Sequence, residues 1–388
     1  MTVSDASAER TPLIVAVGRT AFGRVNGLHR GLRAEHLAAG VLRHLAAQLA
    51  DRGLTPPDDV ILGNAVGGGG NVARLALLEA GLPVEVPGVS VDRQCGSGLE
   101  AVIQACRLVQ AGAGSAYLAG GVESISTAPA RAFRGDTGEL EFYARARFAP
   151  DVLGDPDLGP AADQLAEHLG ISRARQDAYA LLSHQRALAA DHDGQFRAER
   201  VDEPTTAAGS DEGLRPRINA SLLARFVPVF SEHGTVTAGN SCQDADGAAA
   251  VLVLSEAAAQ RAGYRGGLRF VAGASAGVHP RQPGLGAAAA IRKLGGLSPD
   301  FSGERVEIVE AFAAQVLACA DDLGRDAAMF NRQGGALAWG HPYGASGAMS
   351  VLRLFSQCAE EGPAMGAVAG ASIAGGLGVA ARFEWVAV

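Results

Sequence analysis

Short apolar runs alternate along this chain with longer stretches in which apolar residues recur at helical spacing. Leu13–Val17 is a β-branched run ending at Gly18 and predicts a first strand. Glu35–Arg52 carries the helical spacing and stops at Gly53. Val60–Leu62 and Val89–Val91 predict buried strands, with the glycine loop Gly67–Gly70 between them. Glu100–Gln110 predicts a helix, and Ala116–Ala119 a strand running into Gly120-Gly121. Strands and helices alternating on this scale imply an α/β architecture with covered sheets. From Ser126 to Thr237 the texture changes to charges, prolines and the helix-like stretches Asp163–Leu169 and Arg173–Ala190. No strand-like run stands out there, which predicts an insertion without a sheet of its own. Ala248–Leu254 returns to buried strand.

The two ends of the chain resemble each other. Cys95-Gly96-Ser97-Gly98-Leu99-Glu100-Ala101-Val102 has a counterpart in Gly344-Ala345-Ser346-Gly347-Ala348-Met349-Ser350-Val351. Leu118-Ala119-Gly120-Gly121-Val122 has one in Ile373-Ala374-Gly375-Gly376-Leu377, at nearly the same offset. Two similarities in order suggest a duplicated α/β unit.

Composition narrows the chemistry. At 388 residues the chain has room for two or three domains of roughly 100–200 residues each. With 48% hydrophobic and 19% charged residues it is a globular chain, neither disordered nor fibrous. Lys293 is its single lysine, so there is no Gly-Lys-Ser/Thr phosphate loop, and a Schiff base would have to form in a polar helical stretch. The net charge of −8 argues against nucleic acid as a partner. No apolar run reaches the ~20 residues of a membrane span; the nearest, Pro363–Ala381, is broken by glycines and predicts buried strand and turn. Asp5, Glu9 and Arg10 leave no signal peptide visible. Five cysteines without a CxxC pair, and histidines outside any HExxH frame, point to no metal site and to the reducing cytoplasm.

Two residues remain as candidates for catalysis. Cys95 stands where a strand meets a glycine-flanked helix start, whose free N–H groups would lower a thiol's pKa and could stabilise an oxyanion. His341 stands in a glycine-rich loop before the duplicate helix, where it can serve as base to a cysteine across a pseudo-twofold axis. On composition alone, small-residue packing explains the cysteine as well, and a turn position explains the histidine.

Longer motifs then make a resemblance specific. Val91-Asp92-Arg93-Gln94-Cys95-Gly96-Ser97-Gly98, Gly234-Thr235-Val236-Thr237-Ala238-Gly239-Asn240, Glu310-Ala311-Phe312-Ala313-Ala314-Gln315 and Gly340-His341-Pro342-Tyr343-Gly344-Ala345-Ser346-Gly347 resemble those of the thiolase family. Ala119-Gly120-Gly121-Val122-Glu123-Ser124 and Gly375-Gly376-Leu377-Gly378 do so as well. The resemblance spans residues 12–384 and implies a duplicated five-layered α/β/α/β/α fold with an inserted loop domain. It divides the chain into a first half (1–124 plus 244–267), an insertion (125–243) and a second half (268–388). It implies an acyltransferase without a bound cofactor, working on a coenzyme A or carrier-bound acyl thioester. Cys95 then carries the acyl group, His341 activates it, and the N–H groups of Cys95 and Ala374 form the oxyanion hole. Arg215, Phe230 and Phe312 fall at coenzyme A positions, and the assembly is a homodimer or homotetramer.

Three departures from the family pattern qualify this. The family's Asn before Glu-Ala-Phe, which holds a water on the enolate oxygen, is Val309. The family's acid/base cysteine is Ser372, a hydroxyl far weaker as an acid than a thiol near pKa ~8.5. The family's serine near the pantetheine is Cys242, followed by Gln243 where glycine is usual, which reshapes the cavity. The expectation is an acyltransferase that is not an ordinary acetoacetyl-CoA thiolase. A non-catalytic subunit or binder and a thioester hydrolase are the alternatives.

Overall fold

The computed structural model describes residues 7–201, 209–296, 304–362 and 366–388. Asp5 and the opening residues of the Pro363–Ala381 run lie outside the described residues. The first apolar run becomes β1 (Pro12–Arg19), buried along its whole length. After it come β2 (Gly23–Arg24), α1 (Ala34–Ala50), β3 (Asp59–Gly63), α2 (Val72–Glu79), β4 (Gly88–Val91), α3 (Ser97–Ala111) and β5 (Ala116–Glu123). The segment of altered texture holds β6 (Arg131–Arg134), β7 (Leu140–Tyr143), α4 (Leu158–His168), α5 (Arg173–His192) and the short α6 (Ala220–Leu223). Then follow β8 (Ala245–Ser255), α7 (Glu256–Arg261), β9 (Gly266–Gly277), α8 (Gly286–Lys293) and β10 (Glu304–Ile308). The chain ends with α9 (Ala313–Asp322), α10 (Ala336–Trp339), α11 (Tyr343–Glu361), β11 (Gly366–Ile373) and β12 (Leu377–Ala387).

One expectation is corrected here. The segment after Ser126 does have a sheet of its own: β6 and β7 pair antiparallel, with Phe133 stacked on Tyr143. This ribbon buries neither face, so its residues lack the apolar run that betrays a core strand.

The pairings carry the duplication. In the first half β3 lies parallel between β4 and β5, β5 runs antiparallel to β8, and β8 antiparallel to β1. In the second, β10 lies parallel to β11 and to a single bridge at Phe330; β11 runs antiparallel to β12, and β12 antiparallel to β9. The same order of pairings occurs twice. The halves join edge to edge where Leu13 and Ile14 of β1 meet Arg269 and Leu268 of β9.

Apolar faces settle the layers. Residues of α1 and α2 pack on one side of the first half-sheet, and those of α8 and α9 on the outer side of the second, with α4 and α5 beside them. α3 and α11 share the central core. They can do so only because they touch at glycines. A Cβ on Gly98 would stand 2.6 Å from the Gly344 carbonyl oxygen and 2.9 Å from the Ala348 nitrogen; one on Gly347 would stand 2.7 Å from the Leu99 nitrogen. That crossing sets the N-terminal ends of the two helices side by side, and with them Cys95 and His341.

A buried ionic cluster fastens the segment after Ser126 to both halves. Asp211 accepts two bonds from Arg19, at 2.7 and 2.9 Å, one from the Phe22 N–H at 2.7 Å and one from Arg200 at 3.0 Å. Burial alone would raise this carboxyl, but the Arg19 and Arg200 guanidiniums hold it at about 2. The Phe196 ring receives Arg19, Arg200 and, from α11, Arg353 within 5.7 Å of its centre. No helix of the described residues is long and apolar enough to cross a membrane.

Substituting Gly98→Val is expected to lower the melting temperature, because the new atoms meet backbone rather than movable side chains; overpacking of this kind costs about 1–3 kcal/mol or more. Gly277→Ala, which faces open space, is the near-neutral control. A carboxyl depressed in the folded state contributes stability above its unfolded value of ~3.9 and loses that contribution as pH falls toward the folded one. Asp211→Asn should therefore melt earlier at neutral pH and lose less stability between about pH 4 and 2, as followed by thermal melts.

Candidate active site

Cys95 sits on a short 3₁₀ turn, Gln94–Gly96, between β4 and α3. The turn places Gln94 at φ 46°, a conformation that costs a non-glycine residue of order 1–3 kcal/mol and must be held. Asp92 Oδ1 holds it, accepting from the Gln94 N–H at 2.8 Å and the Gln94 amide at 3.0 Å. Ser97 Oγ accepts from the Arg93 N–H at 2.8 Å and donates to the Gln94 carbonyl at 2.6 Å.

His341 enters from the other half. The chain turns at Gly340, φ 105°, and the His341 N–H donates to the Gln243 carbonyl at 2.8 Å. Its Nε2 lies 3.2 Å from Cys95 Sγ, and its Nδ1 lies 2.6 Å from Ser346 Oγ. Ser346 donates its one hydrogen to the Pro342 carbonyl at 3.0 Å. The hydrogen of the His341–Ser346 bond therefore belongs to Nδ1, and Nε2 faces the thiol as an acceptor. Ser346 is the counterpart of Ser97 in the repeat. In one half this serine braces the turn of Cys95, and in the other it bonds Nδ1 of His341.

The electrostatics correct a second expectation. Burial pushes the Cys95 thiol up to about 12, and Glu123, Asp244 and Asp92 add to the rise. The backbone N–H at the turn lowers it, but by less. Burial also brings His341 down to about 4. The helix end does not yield a resting thiolate; the pair rests neutral, as thiol and imidazole, because both charged forms are out of water.

A pocket opens on Cys95. Ala374, Ser372, Phe312 and Gln315 line it, with Leu158, Ala162 and Leu165 of α4 as an apolar wall. Ile373 pairs with Leu377, so Ala374-Gly375-Gly376 is a tight turn, with both glycines near φ 80°. Ser372 Oγ donates to the Gly284 carbonyl at 2.7 Å and accepts from the Ala287 N–H at 3.0 Å. Val309 is buried in the central apolar core, its N–H bonded to the Gly370 carbonyl at 3.0 Å, and its side chain does not line the pocket. Phe230, 41% exposed, meets Phe312 edge-on at 6.2 Å between ring centres. The Cys242 N–H donates to the Ala311 carbonyl at 2.9 Å, and burial holds its thiol well above the usual range. Gln243 does not crowd this pocket: it anchors His341 through its carbonyl and reaches Arg215 Nη2 at 3.5 Å through its side chain. Burial and Arg24 hold the Arg215 guanidinium below its usual value.

Two carboxylates went unassigned in the sequence, although both stand inside its motifs. Glu123 accepts from the N–H groups of Ala65, Val66 and Gly344 at 2.9 to 3.1 Å and from Asn64 at 2.8 Å. It thereby ties the loop after β3 to the start of α11, and burial holds it up at about 7. Glu310 accepts from Tyr179 and Ser183 of α5 at 2.8 and 2.7 Å, from Asn331 at 2.7 Å and from the Leu337 N–H at 3.1 Å. It joins α5 to the loop that carries His341. A carboxylate ending an otherwise apolar run was the signal.

With this geometry in hand, likeness to known proteins is informative. Residues 13–257 match the family model described as thiolase, N-terminal domain, and residues 268–385 match thiolase, C-terminal domain. A Bacillus subtilis protein provisionally named acetyl-CoA C-acetyltransferase YhfS is 47% identical over 383 residues, 97% of this chain and 99% of that protein. Its Staphylococcus aureus relative VraB, provisionally given the same activity, is 44% identical over 96% of this chain and 98% of its own. The crystal structure of the Bacillus anthracis acetyl-CoA acetyltransferase superposes with a TM-score of 0.87 at 32% identity, over 97% of this chain and 99% of that one. Human mitochondrial 3-ketoacyl-CoA thiolase, solved with CoA, superposes with a TM-score of 0.86 at 32% identity, over 98% and 99%. The chain belongs to the thiolase family.

Proposed function

We propose that this protein is a thiolase-type acyltransferase that carries an acyl group on Cys95 between an acyl thioester donor and an acceptor. One observation carries the reading: Cys95 Sγ lies 3.2 Å from a His341 Nε2 that Ser346 leaves free to accept. As the thiol attacks the thioester carbonyl, its proton moves to Nε2, and His341 returns it to the departing thiol. The N–H groups of Cys95 and Ala374 receive the oxyanion. Relatives named as acetyl-CoA acetyltransferases, and the human thiolase solved with CoA, support coenzyme A as the donor's carrier. Arg215, Phe230, Phe312, Cys242 and Gln243 are the residues we assign to its contacts. With one lysine in the chain, arginines such as Arg215 meet the phosphates.

The acceptor step is the weaker one. Val309 offers no donor for an enolate water, and the Ser372 hydroxyl is already engaged with Gly284. Acylation of Cys95 therefore outpaces carbon–carbon bond making or breaking, unless the acceptor arrives activated. A binder that only held CoA would need neither the base-ready tautomer nor the braced thiol. We further assign the division into residues 1–124 with 244–267, 125–243 and 268–388, a homodimeric or homotetrameric state, and the cytoplasm as the location.

Mixed with acetyl-CoA, the protein should gain one acetyl group by intact mass, and Cys95→Ala none; a wild-type protein without the adduct would overturn the reading. Ser346→Ala should slow acylation by about 10²-fold, since general-base assistance contributes 10²–10⁴. The acylation rate should be flat from about pH 6 to 9 and fall only as His341 protonates toward 4. A resting thiolate–imidazolium pair carries the same number of protons and would be told apart by the ultraviolet absorbance of a thiolate, which the neutral pair lacks. Thiolysis of acetoacetyl-CoA at pH 7 should run about 10²–10³-fold slower than acylation, the size of one lost oxyanion donor.

A further inference from the structure

Behind Ser372 lies a thiol that none of these steps uses. Cys319, on the inward face of α9, is fully buried. Its Sγ stands 3.8 Å from Ser372 Oγ, 3.7 Å from the Gln315 amide nitrogen and 3.1 Å from the Gly284 carbonyl oxygen. Gln315 and Cys319 are four residues apart and so share one face of the helix. Ser372 and Gln315 also line the pocket that opens on Cys95. The hydroxyl thus has the substrate pocket on one side and a second sulfur on the other. An isolated serine has nowhere to send a proton; this one does.

We propose that Ser372 and Cys319 form a two-residue proton relay for the α-carbon of the acceptor thioester, an inference that rests on the acyl-Cys95 reading. The α-carbon C–H bond breaks and its electron pair becomes the enolate. The proton goes to Ser372 Oγ, while the hydroxyl hydrogen of Ser372 leaves the Gly284 carbonyl, turns to the sulfur and passes to the Cys319 thiolate. The enolate carbon attacks the acyl carbonyl, and the Cys95–acyl bond breaks with its electron pair on Cys95 Sγ. That thiolate takes up one proton as Cys319 gives one back, so the cycle closes without any other reagent. In thiolysis the same steps run in reverse, with Cys319 supplying the proton through Ser372.

The surroundings fit a sulfur that changes charge. The Ala288 N–H in the first turn of α8 and the Gln315 amide bond to it and favour the thiolate; the Ser372 hydroxyl, whose hydrogen rests on the Gly284 carbonyl, adds to them when it turns to the sulfur. Burial opposes them and prevails, so the thiol stands above its usual value. Of the titratable and charged residues on the packed elements (among them Asp163, Glu167 and His168 on α4, Arg175 on α5, Arg292 and Lys293 on α8, and Asp321 and Asp322 on α9), Asp322 acts on the sulfur and raises it further, while Asp321 is paired with Arg175. The relay is consequently an alkaline one. This agrees with the slow carbon chemistry at neutral pH proposed above.

The test separates the two half-reactions. Exchange of the α-hydrogens of acetyl-CoA in deuterated water, read by mass, reports the relay; intact mass of the protein reports Cys95 acylation. Wild-type exchange should rise with pH from 7 to 10. Cys319→Ala and the isosteric Cys319→Ser should each lose that limb and at least 10-fold of the exchange rate at pH 9. Adding Ser372→Cys to Cys319→Ala, which places a thiol on the pocket wall itself, should restore exchange; a purely structural role of Cys319 predicts no such rescue. Undiminished exchange in a folded Cys319→Ser protein, or a wild type that acylates without exchanging, would overturn the relay. Absence of acylation would instead strike the Cys95 reading.

Discussion

Everything at the centre of this molecule depends on how closely two helices can pass. α3 and α11 cross at Gly98 and Gly347, where a single methyl on either would sit within 3 Å of the other helix's backbone. Only glycine permits that approach. Because the helices are related by the repeat, their N-terminal ends face each other, and each delivers one half of the Cys95–His341 pair. The 3.2 Å contact between Cys95 and His341 is a consequence of the crossing. The remaining glycines of the site serve the same end: Gly340 turns the chain into His341, and Gly375-Gly376 folds Ala374 back against the pocket.

Burial then decides the chemistry. Taken out of water, the thiol and the imidazole both rest neutral, and what prepares them is geometry rather than stored charge. The charges that remain inside are spent on architecture. Glu123 gathers backbone N–H groups around the start of α11, Glu310 couples α5 to the His341 loop, and Asp211 closes the ionic cluster with Arg19 and Arg200. Each is bonded to several donors, which offsets part of the cost of burying a carboxyl; only Asp211, beside two guanidiniums, is held well below its usual value. The segment after Ser126, whose α4 walls the pocket at Cys95, is thereby held to both halves.

Legibility varied with how local each cause was. The main strands and helices of the first half could be read, since their apolar runs are long and buried, and the repeat pointed to their counterparts around Gly344 and Ile373 in the second. The β6–β7 ribbon could not, because an exposed two-stranded hairpin leaves no apolar pattern. Cys95, His341, Ser372 and Ala374 came from motifs, and the pocket does contain Cys95, Ser372 and Ala374. Ser346 was in plain view within its motif, but its role follows from two hydrogen bonds that no spacing reveals. Cys319 had no motif at all.

The sequence by itself determined the repeat, the family, the alternation of strands and helices in the first half and the candidate pair Cys95 and His341, because those are written in runs and motifs of neighbouring residues. Tertiary structure decided the ionisation of the pair, the tautomer of His341, the burial of Val309 away from the pocket and the sulfur behind Ser372. Those depend on how much water is excluded and on which atoms, far apart in the chain, come within 4 Å of one another. A glycine count twice the usual share hinted that some backbones must pass closely. Only the folded chain shows that two of those glycines hold the site together.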